Sequence, residues 1–179
     1  MGRDKALLPL PPDRHGQTLG QAVAGIVESA AGSATLVGDT ERYRVLGYPV
    51  IPDRYPGEGP LGGILTALAH SSANWNLITA CDMPGLTVGF LRQLLDAAAS
   101  GEADILLPFG PSGRPEVLCA VYRKRAITPL EGAFRAGIRK VALAASASAG
   151  LRTVPFHVAE ASVFQNVNTP EEWAAHGSE

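Results

Sequence analysis

The 179-residue chain is 46% apolar and 18% charged, enough apolar side chain to fill the core of a single domain, expected over residues 1–179. Its 15 Lys plus Arg against 17 Asp plus Glu give a formal charge of −2, which excludes the basic footprint of a nucleic-acid binder and a polybasic membrane patch. No apolar run is long enough to span a bilayer or read as a signal peptide. Cys81 and Cys119 have neither zinc spacing nor a disulfide framework, so the expected location is the reducing cytoplasm.

The elements follow in chain order. Thr18 is placed to cap a helix over 19–31, with Leu19, Val23, Ile26 and Val27 at helical spacing and Gly32 as its stop. Ala34 to Val37 reads as a buried strand running into Gly38 and Asp39, and Val50-Ile51 as a short strand running into Pro52 and Asp53. The stretch 54–63, rich in Gly and Pro, predicts a loop leading into a helix from Ile64 to His70. A strand over 75–80 stops at Cys81-Asp82-Met83-Pro84, and Thr87 caps the next helix, whose inward stripe is Phe90, Leu91, Leu94 and Leu95. Strands over 104–108 and 117–122 are followed by helical stretches over 127–136 and 141–149 and a strand over 151–156. Thr169-Pro170 opens a last helix. This alternation predicts an α/β, Rossmann-like three-layer fold with a mostly parallel sheet.

In open α/β sheets ligands sit beyond the C-terminal ends of the strands, which singles out Gly38, Asp53, Asp82 and the loop 57–63. Asp82, a carboxylate after a buried strand, suits a Mg²⁺ ion on a triphosphate; the alternative is a turn or helix cap before Pro84. Lys5 offers a point charge for phosphate oxygens, or is a solvated lysine. The loop glycines either admit a phosphate or base closely or form a plain turn. Asn166 and Asn168 share a face and could present amides to a substrate or metal, or serve turn and cap chemistry before Thr169. Cys81 lacks a histidine partner and reads as a small core residue rather than a nucleophile. The four histidines are scattered.

Several segments taken together resemble one family. Met1-Gly2-Arg3-Asp4-Lys5-Ala6-Leu7-Leu8, Gly59-Pro60-Leu61-Gly62-Gly63, Cys81-Asp82-Met83-Pro84, Leu118-Cys119-Ala120-Val121-Tyr122 and Asn166-Val167-Asn168-Thr169-Pro170-Glu171-Glu172 occur in the order found in molybdenum cofactor guanylyltransferases. The resemblance implies a nucleotidyltransferase that joins GMP from GTP to molybdenum-bound molybdopterin, with Mg²⁺ as cofactor. It implies GTP and molybdopterin as partners, together with transient contact with molybdoenzymes or other cofactor-biosynthesis proteins. It places Lys5 on the triphosphate and Asp53, Gly59, Pro60, Leu61 and Gly62 in the nucleotide site. Asp82 falls on the metal, and Asn166 and Asn168 on the molybdopterin or metal side.

Two departures accompany the match. Family members open with a strand and a Leu-Ala-Gly-Gly loop ending in Arg-Met-Gly, and this sequence opens at that Met-Gly. The expectation is a fold whose first strand and glycine-rich loop are missing, with unpaired backbone on the neighbouring strands and an apolar trough between them. Some relatives also carry Asn where Gly38 stands. The alternatives within this reading are a cytidylyltransferase for the same cofactor and a non-catalytic molybdopterin-binding paralogue without the phosphate loop.

Overall fold

The computed structural model describes residues 4–10, 16–159 and 161–164. Asn166, Asn168 and the helix expected after Thr169 lie outside them. The described elements are α1 (Leu19–Ala31), β1 (Leu36–Val37), α2 (Thr40–Tyr43), β2 (Val50–Ile51), α3 (Pro60–His70), β3 (Trp75–Thr79), α4 (Val88–Ser100), β4 (Ile105–Phe109), β5 (Cys119–Arg123), α5 (Ile127–Arg135), α6 (Val141–Ala147) and β6 (Thr153–His157).

Local chemistry sets the helix ends. The Thr18 side chain accepts from the Gln21 amide while Gln21 reaches back to the Thr18 N–H, a capping box, and Gly32 closes α1 in the left-handed region at φ 83°. Thr87 caps α4 in the same way through the Phe90 amide. The helix expected from Ile64 begins one turn earlier, because Gly59 at φ 79° turns the chain and Pro60 occupies the first helical position, where its missing N–H costs nothing. The short helix α2 is capped by Asp39, whose side chain accepts from the Arg42 amide.

The strands form two sheets. β1 pairs β2 in parallel, and a four-stranded sheet has the order β3-β5-β4-β6. β5 runs antiparallel to both β3 and β4, while β4 and β6 are parallel, so three strands of this sheet share one direction and β5 is reversed. The α/β class with mostly co-directional strands is as expected; the reversal of β5 is an addition.

Two apolar layers cover the larger sheet. On one face Leu61, Ile64, Leu65 and Leu68 of α3 pack with Leu130, Phe134, Val141 and Ala144 of α5 and α6 over Ile105, Leu107, Ala120 and Tyr122. On the other, Leu19 and Val23 of α1 and Phe90, Leu91 and Leu94 of α4 cover Leu106, Cys119 and Val121. The alternation of strand residues between the faces is the period of two that a doubly covered sheet requires. Tyr122 is buried outright, and its hydroxyl donates to the Val117 carbonyl at 2.7 Å.

β4 and β5 are buried along most of their length, yet every residue of β3 is only half-buried. A trough of about 640 Å³ explains the difference. It lies between the two sheets, lined by Leu36 and Val37 of β1 and Leu77, Ile78 and Thr79 of β3, with α1 on one wall and α3 on the other.

Candidate active site at the strand ends

The C-terminal ends of β1, β2 and β3 lead to Gly38, Asp53 and Asp82. The loop after β3 is anchored just beyond Asp82, where Met83 and Leu86 are buried in the layer with α1 and α4. Lys5 approaches from the single turn Lys5–Leu7, capped by the Asp4 side chain through the Ala6 amide. Its Nζ donates to Asp82 Oδ2 at 2.7 Å, with the two side chains 28% and 19% exposed. A charge-assisted contact of that length brings together two residues named separately in the sequence and 77 positions apart.

A second contact fixes Lys5 from behind. Asp4 Oδ2 accepts from the Tyr43 hydroxyl at 2.8 Å and from Arg42 at 3.4 Å, which ties the Lys5 turn to α2. The Tyr43 ring lies across Gly38, where a Cβ would stand 2.5 Å from Cε2, and Gly38 has φ 153°. Position 38 therefore carries glycine for a steric reason as well as a conformational one. Burial, followed by the bond to Asp4, pushes the Tyr43 hydroxyl up to about 12, so it remains a donor at neutral pH. Neither Asp4 nor Tyr43 is a candidate site residue on sequence grounds; their contact spans 39 positions and leaves no local pattern.

Asp53 is engaged structurally. Its Oδ1 accepts from the Tyr55 amide at 3.0 Å and the Thr66 hydroxyl at 2.9 Å, linking the end of β2 to α3. Among the described residues no recorded hydrogen bond falls on Oδ2. Thr66, buried in α3, is a further residue the sequence did not flag.

The loop 57–63 divides. Gly59 and Pro60 are exposed at the start of α3, whereas the Leu61 side chain is fully buried in the core. Gly62 is a close-approach glycine, since a Cβ would meet Tyr55 Cβ at 2.8 Å. Cys81 behaves as the sequence suggested. Burial, then the charges of Asp82 and Asp4, push its thiol up to about 11, which keeps it protonated and poorly nucleophilic.

The structure thus brings a carboxylate and an ammonium together at the C-terminal edge of an α/β sheet, the arrangement that the phosphate chemistry of the nucleotidyltransferase class calls for. The chain belongs to the MobA-like NTP transferase domain family, whose model matches residues 1–153. It is similar to the probable molybdenum cofactor guanylyltransferase of Deinococcus radiodurans, 33% identical over 87% of this chain and 78% of that one. The protein of the same description from Mycobacterium tuberculosis is 35% identical over 94% of this chain and 83% of its own. Among solved structures, molybdopterin-guanine dinucleotide biosynthesis protein A from Archaeoglobus fulgidus aligns with a TM-score of 0.76 and 27% identity, over 97% of this chain and 89% of that one. These relatives make the chain a nucleotidyltransferase of molybdenum cofactor biosynthesis. Among the described residues no helix is long and apolar enough to cross a membrane.

Proposed function

We propose that this chain transfers GMP from GTP to the terminal phosphate of molybdenum-bound molybdopterin. The observation that carries the proposal is the Lys5–Asp82 contact of 2.7 Å at the end of β3, which holds a cation and a carboxylate where a triphosphate and its counter-ion would meet. In the reaction a phosphate oxygen of molybdopterin bonds to the α-phosphorus of GTP. The bond from that phosphorus to the bridging oxygen of the β-phosphate breaks, and pyrophosphate leaves with the electron pair. The step needs alignment and charge neutralisation rather than a covalent intermediate, consistent with a protonated Cys81.

Asp82 would hold Mg²⁺. The donor set fits: Asp82 offers one partly exposed carboxylate, and Mg²⁺ bound to nucleotides uses one or two carboxylates plus phosphate oxygens. When bound, the ion would neutralise phosphate charge. Lys5 exchanges Asp82 for the phosphate oxygens as the nucleotide arrives, with Asp4 and Tyr43 holding its turn in place. Asp53, through Oδ2, would accept from the donor edge of guanine, and the exposed backbone at Gly59 and Pro60 would border the base. The neighbouring Leu61 and Gly62 would support that edge, and Asn166 and Asn168 would contact molybdopterin or the metal.

Titration with GTP, CTP and ATP in the presence of Mg²⁺ tests base choice and site together. GTP is expected to bind at least about tenfold more tightly than the others, and Lys5→Met to weaken GTP by about tenfold, or 1.4 kcal/mol. Equal affinity for the three nucleotides would sink the guanine assignment; unchanged GTP affinity in Lys5→Met would remove Lys5 from the site.

A further inference from the structure

The loop ahead of α3 is fastened to the end of α5. Gly57 at φ 80° and Gly59 at φ 79° flank Glu58, and among the described residues nothing lies within 4 Å of where a Cβ would stand on either glycine. Residues 56–60 are exposed and supply no side chain to the core. The path of this stretch is therefore set by the bonds of Glu58. Its amide donates to the Tyr55 carbonyl at 3.1 Å, and its carboxylate accepts from Arg139 Nε, 81 positions away.

Arg139 is itself built into place. At the end of α5 the Gly137 amide donates to the Phe134 carbonyl at 3.0 Å and the Ile138 amide to the Ala133 carbonyl at 3.1 Å, with Gly137 at φ 90°. Arg139 follows directly. Its Nη1 donates to the same Phe134 carbonyl at 2.7 Å, and its guanidinium lies 4.0 Å over the Phe134 ring. That buried ring meets the Tyr55 ring at 4.7 Å between centroids. Tyr55 is tied in turn by its amide, which donates to Asp53 at 3.0 Å, and by its hydroxyl, which donates to Glu131 at 3.3 Å. Tyr55 and Glu58 on the loop thus close on Glu131, Phe134 and Arg139 at the end of α5.

We propose that Arg139 is a positioning residue for the nucleotide: through Glu58 it holds residues 57–60 in the conformation that receives the base, without itself touching substrate. The inference rests on the reading of this loop as the border of the guanine site. Exposed ion pairs add little to fold stability, and this one secures a stretch with no buried side chain, so stability is not what it supplies. It removes loop freedom that a nucleotide would otherwise have to freeze on binding. A planar fork laid on a ring and bonded to a carbonyl gives up little further freedom in gripping Glu58, which suits arginine to position 139 better than lysine.

GTP with Mg²⁺ is titrated calorimetrically into the full chain and into Arg139→Met, Arg139→Lys, Glu58→Ala and the double variant Glu58→Ala/Arg139→Met. Arg139→Met and Glu58→Ala are each expected to weaken GTP by about three- to tenfold, and Arg139→Lys by less. The double variant should lose no more than the larger of the two single losses, since both act through one contact. The melting temperature should stay within about 3 °C of the parent, while exchange of the Glu58 amide quickens by about fivefold or more. In the transfer assay KM for GTP should rise and kcat stay within about twofold. If Arg139→Met does not fold, Glu58→Ala, at an exposed residue, carries the same test. Unchanged affinity in the folded single variants, additive losses in the double variant, or a fall in kcat at unchanged KM would each overturn the inference and leave the guanine reading standing. A parent chain that binds no GTP would overturn both.

Discussion

Gly38→Ala tests the contact chain behind Lys5. A Cβ at position 38 would stand 2.5 Å from Tyr43 Cε2 and 3.0 Å from Cδ2, closer than side-chain atoms pack, on a backbone at φ 153°. The Tyr43 ring must swing away, and its hydroxyl then loses the 2.8 Å bond to Asp4. A hydrogen bond to a charged acceptor contributes about 1.5–3 kcal/mol, and the half-exposed setting puts this one at the lower end. Backbone strain adds about 1 kcal/mol, for a total near 2–3 kcal/mol. For a domain of this size that lowers Tm by about 5–10 °C, read by thermal unfolding followed by circular dichroism. Tyr43→Phe, which keeps the ring and removes only the hydroxyl, should cost about half as much. Tyr43→Ala should relieve the clash, so that the double variant Gly38→Ala/Tyr43→Ala loses less than the sum of the singles. A Gly38→Ala protein within about 0.5 kcal/mol of the parent, or strict additivity with Tyr43→Ala, would refute the reasoning.

The Lys5–Asp82 pair, less than a third exposed on either side, should show a coupling energy of about 1–2 kcal/mol in a double-mutant cycle of Lys5→Met and Asp82→Asn read by urea unfolding, and coupling near zero would mean that the contact holds nothing. The buried Asp104 is pushed up by desolvation, but the ion pair with Arg125 and the Arg152 amide at 3.0 Å outweigh this and hold its carboxyl below the usual range. Its folded pKa is depressed, so its contribution is fully present above the unfolded value of about 3.9 and is lost as pH falls through the folded value. Asp104→Asn should therefore cost about 2 kcal/mol at pH 7 and flatten the loss of stability below pH ~4, and an unchanged acid limb in urea titrations would contradict it. With its thiol pushed up to about 11, Cys81 should react with iodoacetamide at pH 8 roughly a hundredfold more slowly than free cysteine, as mass spectrometry of its peptide would show.

What the sequence disclosed was local. Thr18 with Gln21, Gly32 and Thr87 announce helix ends because the capping side chain and its amide lie within three or four residues of each other. α3 was read a turn too short because Gly59-Pro60-Leu61-Gly62-Gly63 looks like loop by composition. Pro60 at a first helical position was the available signal for the earlier start. The reversal of β5 carried no local mark, since pairing such as Thr79 with Cys119 depends on contacts across the chain. Resemblance named Lys5 and Asp82 but not their bond, and it assigned no role to Asp4, Tyr43 or Thr66, whose partners lie 13 to 39 positions away. The apolar trough was an expectation of the family pattern, and half-buried β3 lines it.

The most direct test of the central claim is transfer of label from α-³²P-GTP to molybdopterin in the presence of Mg²⁺, compared between the parent chain and Asp82→Asn. Labelled dinucleotide and unlabelled pyrophosphate from the parent, with the rate reduced by about a hundredfold or more in Asp82→Asn, is the predicted result. No transfer by the folded parent chain, or an undiminished rate in Asp82→Asn, would contradict the assignment of nucleotidyl transfer to the Lys5–Asp82 end of the sheet.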